Sequence, residues 1–219
     1  MSLLFIKCLT FAVTPIAIAL ILQIEPTYAV DLDESREPPL QYMLHIDGKP
    51  IAIEENNDLV IKGHFADPNI KLVVEPVRVF PYRGVSFKYP RHFVFEAELE
   101  DQDAQIWTLS GNDFVIMYFD LNGDVSADWY ATELLSQFGK ENGKIVDRDI
   151  AVLLGKQKLK GTRMRVTVAT HTMQMDVYRL GFNKDRTRLL VFQDSLDEKS
   201  KPSKEGTAAL SLLKESFAK

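Results

Sequence analysis

The chain has 219 residues, of which 46% are hydrophobic and 26% charged, and its formal net charge is −5. That balance suits a folded protein with one main core and excludes global disorder. The acidic sum gives no electrostatic reason to expect a nucleic-acid partner.

Residues 1–29 read as an export signal. Lys7 supplies a basic start and Leu9 to Ile24 form an apolar run broken by Thr10, Thr14, Pro15 and Gln23. Thr27-Tyr28-Ala29 then offers the small residues a signal peptidase requires. The other reading is an uncleaved anchor, since the run approaches the ~18 residues a membrane span needs. Cys8, the single cysteine, would leave with the signal, so disulfides, thiol chemistry and cysteine-ligated zinc are not expected in the mature chain. The expected location is the periplasm or the extracellular space.

Residues 30–39 form an acidic stretch ending in two prolines and read as a flexible leader. Residues 40–80 read as an N-terminal β extension. Tyr42, Leu44 and Ile46 alternate before the turn signal Asp47-Gly48, and Ile51 and Ile53 alternate after it. Leu59-Val60-Ile61, Ile70 to Val74 and Val77 to Phe80 are read as further short strands, the last bracketed by Pro76 and Pro81.

Residues 81–219 carry stronger signals. Val85, Phe87 and Tyr89 share a strand face, and Phe93, Phe95, Ala97 and Leu99 alternate with Glu96, Glu98 and Glu100. Phe114 to Phe119 is apolar without interruption, the mark of a strand covered on both faces. Ala127, Tyr130, Ala131, Leu134, Leu135 and Phe138 recur at helical spacing between Ser126 or Asp124 and Gly139. Met164, Val166 and Val168 oppose Arg163 and Arg165. Tyr178, Leu180 and Phe182 follow, then Leu189 to Phe192. A closing helix opened by Ser200 and Pro202 is expected to bury Ala209, Leu210, Leu213 and Phe217. The resulting class is α+β, an antiparallel sheet flanked by helices.

Gly84-Val85-Ser86-Phe87-Lys88-Tyr89-Pro90-Arg91-His92-Phe93 resembles the opening strand of the PsbP/Mog-like superfamily, which includes DcrB-type bacterial envelope proteins. The resemblance covers about residues 84–219. It implies an α/β/α sandwich used as a binding scaffold, with no shared catalytic residues.

Two local patterns are candidate sites. Asp120, Asn122, Asp124 and Asp128 alternate as the first ligands of a calcium loop would. Val125 replaces the turn glycine, however, and Ala131 the bidentate glutamate, so a helix-capping turn is the competing reading. Lys156, Lys158, Lys160, Arg163 and Arg165, with Lys184, Arg186 and Arg188 nearby through the following hairpins, form a candidate anion- or partner-binding face. A lysine-rich sheet edge that resists aggregation is the alternative. Charge is also unevenly spread, −11 from Val30 to Asp128 and +6 from Trp129 to Lys219.

His45, His64, His92 and His171 fall into no zinc spacing, and no nucleophile elbow or phosphate loop occurs. No cofactor is expected, and no membrane span after signal cleavage. The expected function is an exported, non-catalytic binding protein whose partner is another protein or an anionic envelope component. The alternative is an envelope enzyme with a carboxylate and histidine site.

Overall fold

The computed structural model describes residues 33–55, 58–62, 66–139, 141–183 and 185–219. The signal segment 1–29, His64 and Lys184 lie outside the described residues.

Three strands come first: β1 (Gln41–Ile46), β2 (Lys49–Glu54) and β3 (Ile70–Val74), which form a small antiparallel sheet in the order β2-β1-β3. Leu44 sits beside Ile51 on one side and Leu72 on the other, so the alternation in each strand builds one common apolar face. Asp47 and Gly48 take left-handed conformations, φ 51° and 78°, at the tip of the first hairpin. Leu59-Val60-Ile61 does not form the expected strand; Val60 is 81% exposed, and short apolar runs without a pairing partner stay irregular.

The strands β4 (Val77–Phe80) and β5 (Phe87–Pro90) pair as an antiparallel hairpin. Phe80 is fully buried, stacked on Phe87 at 4.8 Å and edge-on to Tyr118 at 5.6 Å. The hairpin is thus part of the main core.

The main sheet contains β6 (Val94–Glu98), β7 (Ala104–Ser110), β8 (Phe114–Asn122), β9 (Gly143–Leu154), β10 (Gln157–Val168), β11 (His171–Asn183) and β12 (Arg186–Ser195). Its order is β6-β7-β8-β12-β11-β10-β9, antiparallel throughout. One meander ends at β8, and the helix α1 (Ala127–Phe138) then carries the chain to the opposite edge. A second meander returns from β9 to lay β12 against β8.

Strand β9 escapes sequence reading for a clear reason. Ile145 packs on the α1 face, whereas Ile150, Val152 and Leu154 enter the core on the other face, and Asp147-Arg148-Asp149 between them is exposed. Two register shifts opposite Gly161 to Met164 accompany this change, so no single alternation runs along the strand. Gly161 is needed there, because a Cβ would lie 2.2 Å from the Val177 carbonyl oxygen.

Each face of the sheet carries one helix. On the first, α1 is capped by Ser126, whose hydroxyl accepts from the Trp129 N–H at 3.0 Å, and Ala131 packs among Phe119, Leu121, Met164, Val166, Met175, Val177, Leu189 and Val191. On the second, α2 (Lys204–Ser216) lies with the β4–β5 hairpin over Trp107, Tyr118, Tyr178 and Phe192 and buries Ala209 and Leu213. Its cap is Ser203, which accepts from Gly206 N–H, rather than the expected Ser200.

The expected α/β/α sandwich is corrected on this evidence of proportion. Strands make up 54% of the described residues and helices 14%. The molecule is mostly β, built on a seven-stranded antiparallel sheet, and one face is covered as much by a β hairpin as by a helix. The helix-period signals in the sequence are real at α1 and α2, but long hairpins supply the bulk of the fold. Among the described residues no helix is long and apolar enough to cross a membrane.

Candidate functional site: an arginine niche under the N-terminal segment

The most unusual chemistry lies at the end of the main sheet where β7, β8 and β12 meet the turn Tyr82-Arg83-Gly84-Val85. Antiparallel pairing sets Gln105 and Arg188 on either side of Asp120, all on the face that carries α2. Asp120 is 2% exposed, and a buried carboxylate requires compensation. Arg186 supplies it: Nε donates to Oδ1 at 2.9 Å and Nη2 donates to the Asp120 carbonyl at 2.6 Å. Arg83 Nε stands 3.9 Å from the other carboxylate oxygen, beyond hydrogen-bond range.

The turn that presents Arg83 is strained. Val85 N–H donates to Tyr82 O at 3.1 Å across two left-handed residues, Arg83 at φ 53° and Gly84 at φ 72°. Glycine tolerates that conformation; arginine does not favour it. The turn holds the Arg83 guanidinium 5.7 Å from the Trp107 ring centroid and lets Nη2 donate to Gln105 Oε1 at 2.7 Å.

Two groups here have no partner among the described residues. The Tyr118 hydroxyl is buried without a hydrogen bond. Burial pushes it well above the ordinary phenol range, and Tyr118 lies two residues before Asp120 on the same face of β8, diagonal to Arg188 on β12. Arg188 has neither a hydrogen bond nor an ion pair, and its Nη1 is 3.7 Å from where a Gly84 Cβ would stand.

Over this niche runs the segment expected as a flexible acidic leader. Along Asp33–Pro38 it is seated by side-chain donors. Trp107 Nε1 donates to Glu34 O at 2.9 Å, the Tyr82 hydroxyl to Arg36 O at 2.5 Å, and Arg78 Nη1 to Pro38 O. Arg83 pairs with Glu34 at 2.9 Å and Arg78 with Glu37 at 3.0 Å. Burial pushes the Tyr82 hydroxyl up to about 12, and the carboxylates of Asp33, Glu34 and Glu37 add to the rise.

The calcium-loop residues are dispersed among separate partners. Asp120 belongs to Arg186, Asn122 Nδ2 donates to Asp103 Oδ1 at 3.0 Å, Asp124 pairs with Arg179 at 2.5 Å, and Asp128 pairs with Arg148. Among the described residues no three histidine, cysteine or carboxylate side chains are placed to hold a metal ion.

The expected basic face is also divided. Lys158 and Lys160 are exposed on the α1 side of β10, Lys160 pairing with Asp149 at 3.3 Å, and Lys156 sits in the turn before the strand. Arg163 and Arg165 point to the α2 side, because strand alternation separates odd from even positions. There Arg163 grips Asp176 through Nε and Nη2, both at 2.6 Å, and Arg165 Nη2 donates to Gln174 at 3.4 Å.

That pair borders a cleft of about 350 Å³ between α2 and the sheet, lined by Phe114, Phe192, Asp176, Asp194, Leu210 and Lys214 among others. Asp194 is pushed up by burial and accepts from Ser203 N–H at 3.1 Å. Its acids are thus engaged in fastening the helix and the sheet, and no histidine lines it. His92 is elsewhere, paired with Glu205 at 3.0 Å.

Sequence reasoning placed Asp120 in one candidate pattern and Arg186 with Arg188 in another and left Arg83 out, because the three stretches that form the niche are far apart in the chain. The one local hint was Arg-Gly between Tyr82 and Val85, where a left-handed turn more often carries asparagine. No protein-family model matches the chain, and no curated protein is similar to it.

Proposed function

We propose that the protein is an exported, non-catalytic binding protein, and that it holds an anionic group, a carboxylate or a phosphate, in the niche of Arg188, Arg83 and Tyr118. One observation carries the reading: Arg188 is a partly buried guanidinium with no acceptor among the described residues, beside a buried hydroxyl that also has none. The buried Tyr118 hydroxyl is costly to leave unpaired, and the Arg188 guanidinium, which solvent still reaches, offers its charge to an anion that can pair with both. Arginine suits the task, since its planar fork matches carboxylate and phosphate. The export half of the reading is supported by Lys7, the apolar run and Thr27-Tyr28-Ala29. The resemblance of Gly84 to Phe93 to PsbP/Mog-like proteins favours a binding role as well.

The test is calorimetric titration of the mature protein with inorganic phosphate and with citrate. Saturable binding that weakens with salt is expected, because the site is partly open to solvent. Arg188→Gln should abolish it, and Lys158→Gln with Lys160→Gln should leave it unchanged. Equal binding by parent and Arg188→Gln overturns the proposal.

A further inference from the structure

We infer that Trp107, Tyr82, Arg78 and Arg83 form a docking groove for an acidic peptide segment of a partner protein, and that Asp33–Pro38 is its exchangeable resident. The inference shares only Arg83 with the reading above and deepens it by naming the kind of partner.

Side-chain donors hold the resident at the carbonyls of Glu34, Arg36 and Pro38, every second residue. Among the described residues no backbone ladder ties Glu34 to Pro38 to the sheet; the one backbone bond of the segment is internal, Arg36 N–H to Asp33 O at 3.0 Å. Recognition through carbonyls is indifferent to side-chain identity, so it fits any chain of similar course. Acid side chains then supply the selectivity, Glu34 at Arg83 and Glu37 at Arg78.

The resident is an imperfect occupant. Each carboxylate meets its arginine through Nη2, and the Nε atoms of both Arg78 and Arg83 are buried without a hydrogen-bond partner. A guanidinium fork binds carboxylate best through two parallel bonds. The resident also carries its own cation, Arg36, whose Nε pairs with Asp33 at 3.0 Å and cancels part of the negative charge offered to the groove. The Glu34–Arg83 pair is about one-third exposed on both sides, and such pairs contribute little net stability in water. An acidic segment without an internal arginine, seated so that its carboxylates meet Nε as well as Nη2, therefore fits the groove better than the resident does.

The experiment uses the full mature chain and a fluorescently labelled peptide spanning Asp33 to Pro39 with Arg36→Gln, read by anisotropy. Glu34→Gln with Glu37→Gln in the chain weakens the resident and is expected to tighten peptide binding several-fold. Adding Arg78→Gln, with its urea midpoint checked to confirm folding, should abolish binding. Arg78→Gln should leave phosphate binding intact, whereas Arg188→Gln should remove phosphate and leave the peptide bound, so the two proposals fail separately. Peptide affinity that does not change on weakening the resident overturns the inference. So does binding of phosphatidylglycerol vesicles in place of the peptide.

Discussion

Glu205→Gln isolates a single charge that fastens α2 to the sheet. Glu205 lies in the first turn of the helix, and its carboxylate reaches the β7–β8 turn, where Oε2 accepts from Asp113 N–H at 2.6 Å and Phe114 N–H at 3.1 Å. Its Oε1 contacts His92 Nε2 at 3.0 Å. Gly111 permits this approach, since a Cβ there would come within 2.6 Å of Oε2. Hydrogen bonds to an ionised group contribute about 1.5–3 kcal/mol and neutral ones about 0.5–1.5 kcal/mol. Glutamine keeps the shape and converts two charge-assisted bonds into neutral ones, so the expected loss at pH 7 is about 2–3 kcal/mol. For a chain of this size that lowers Tm by roughly 5–10 °C. The pH dependence adds a second check. Burial pulls the Glu205 carboxyl up, but the N–H of Asp113, His92 and the N–H of Phe114 together hold it below its ordinary 4.5. A depressed folded pKa stabilises fully above the unfolded value, and the contribution fades as pH falls through the folded one. The gap between parent and variant should accordingly close in acid. Coincident urea midpoints at pH 7, or a gap unchanged down to pH 3, would refute the reasoning.

Ile116→Ala removes a side chain that is 1% exposed in an interior strand, and a loss of about 2–5 kcal/mol of unfolding free energy, read as a lowered urea midpoint, is expected; equal midpoints would place β8 at an edge. Calcium should leave Tm where it is with chelator, because the oxygens of Asp120, Asp124 and Asp128 are each committed to a different arginine. A true site would stabilise by about 2.7 kcal/mol when the ion is at a hundred times its Kd, and a rise abolished by Asp120→Ala would show one. Mass spectrometry of the protein from an envelope or medium fraction should find a chain starting at Val30; an intact Met1 in the membrane fraction would establish the anchor reading.

Local patterns in the sequence determined the elements whose burial is uniform along their length. The unbroken apolar run of Phe114 to Phe119 is an interior strand, Met164 and Val166 line one core, and the helix stripes at Ala131 and at Ala209 with Leu213 face the sheet. Such elements are legible because one periodicity, 2 or 3.6, governs all of their residues. Tertiary structure alone decided the rest. It made a strand of Gly143 to Leu154 by sharing its apolar residues between two cores. It set which face of β10 lies under α1 and which under α2, so that the even-numbered lysines and odd-numbered arginines, already parted by strand alternation, met different helices. It also brought Arg83, Asp120, Arg186 and Arg188 together under Glu34, since antiparallel pairing joins residues that are distant in sequence. A carboxylate finds its arginine through strand order and burial, and neither is written in the few residues around it.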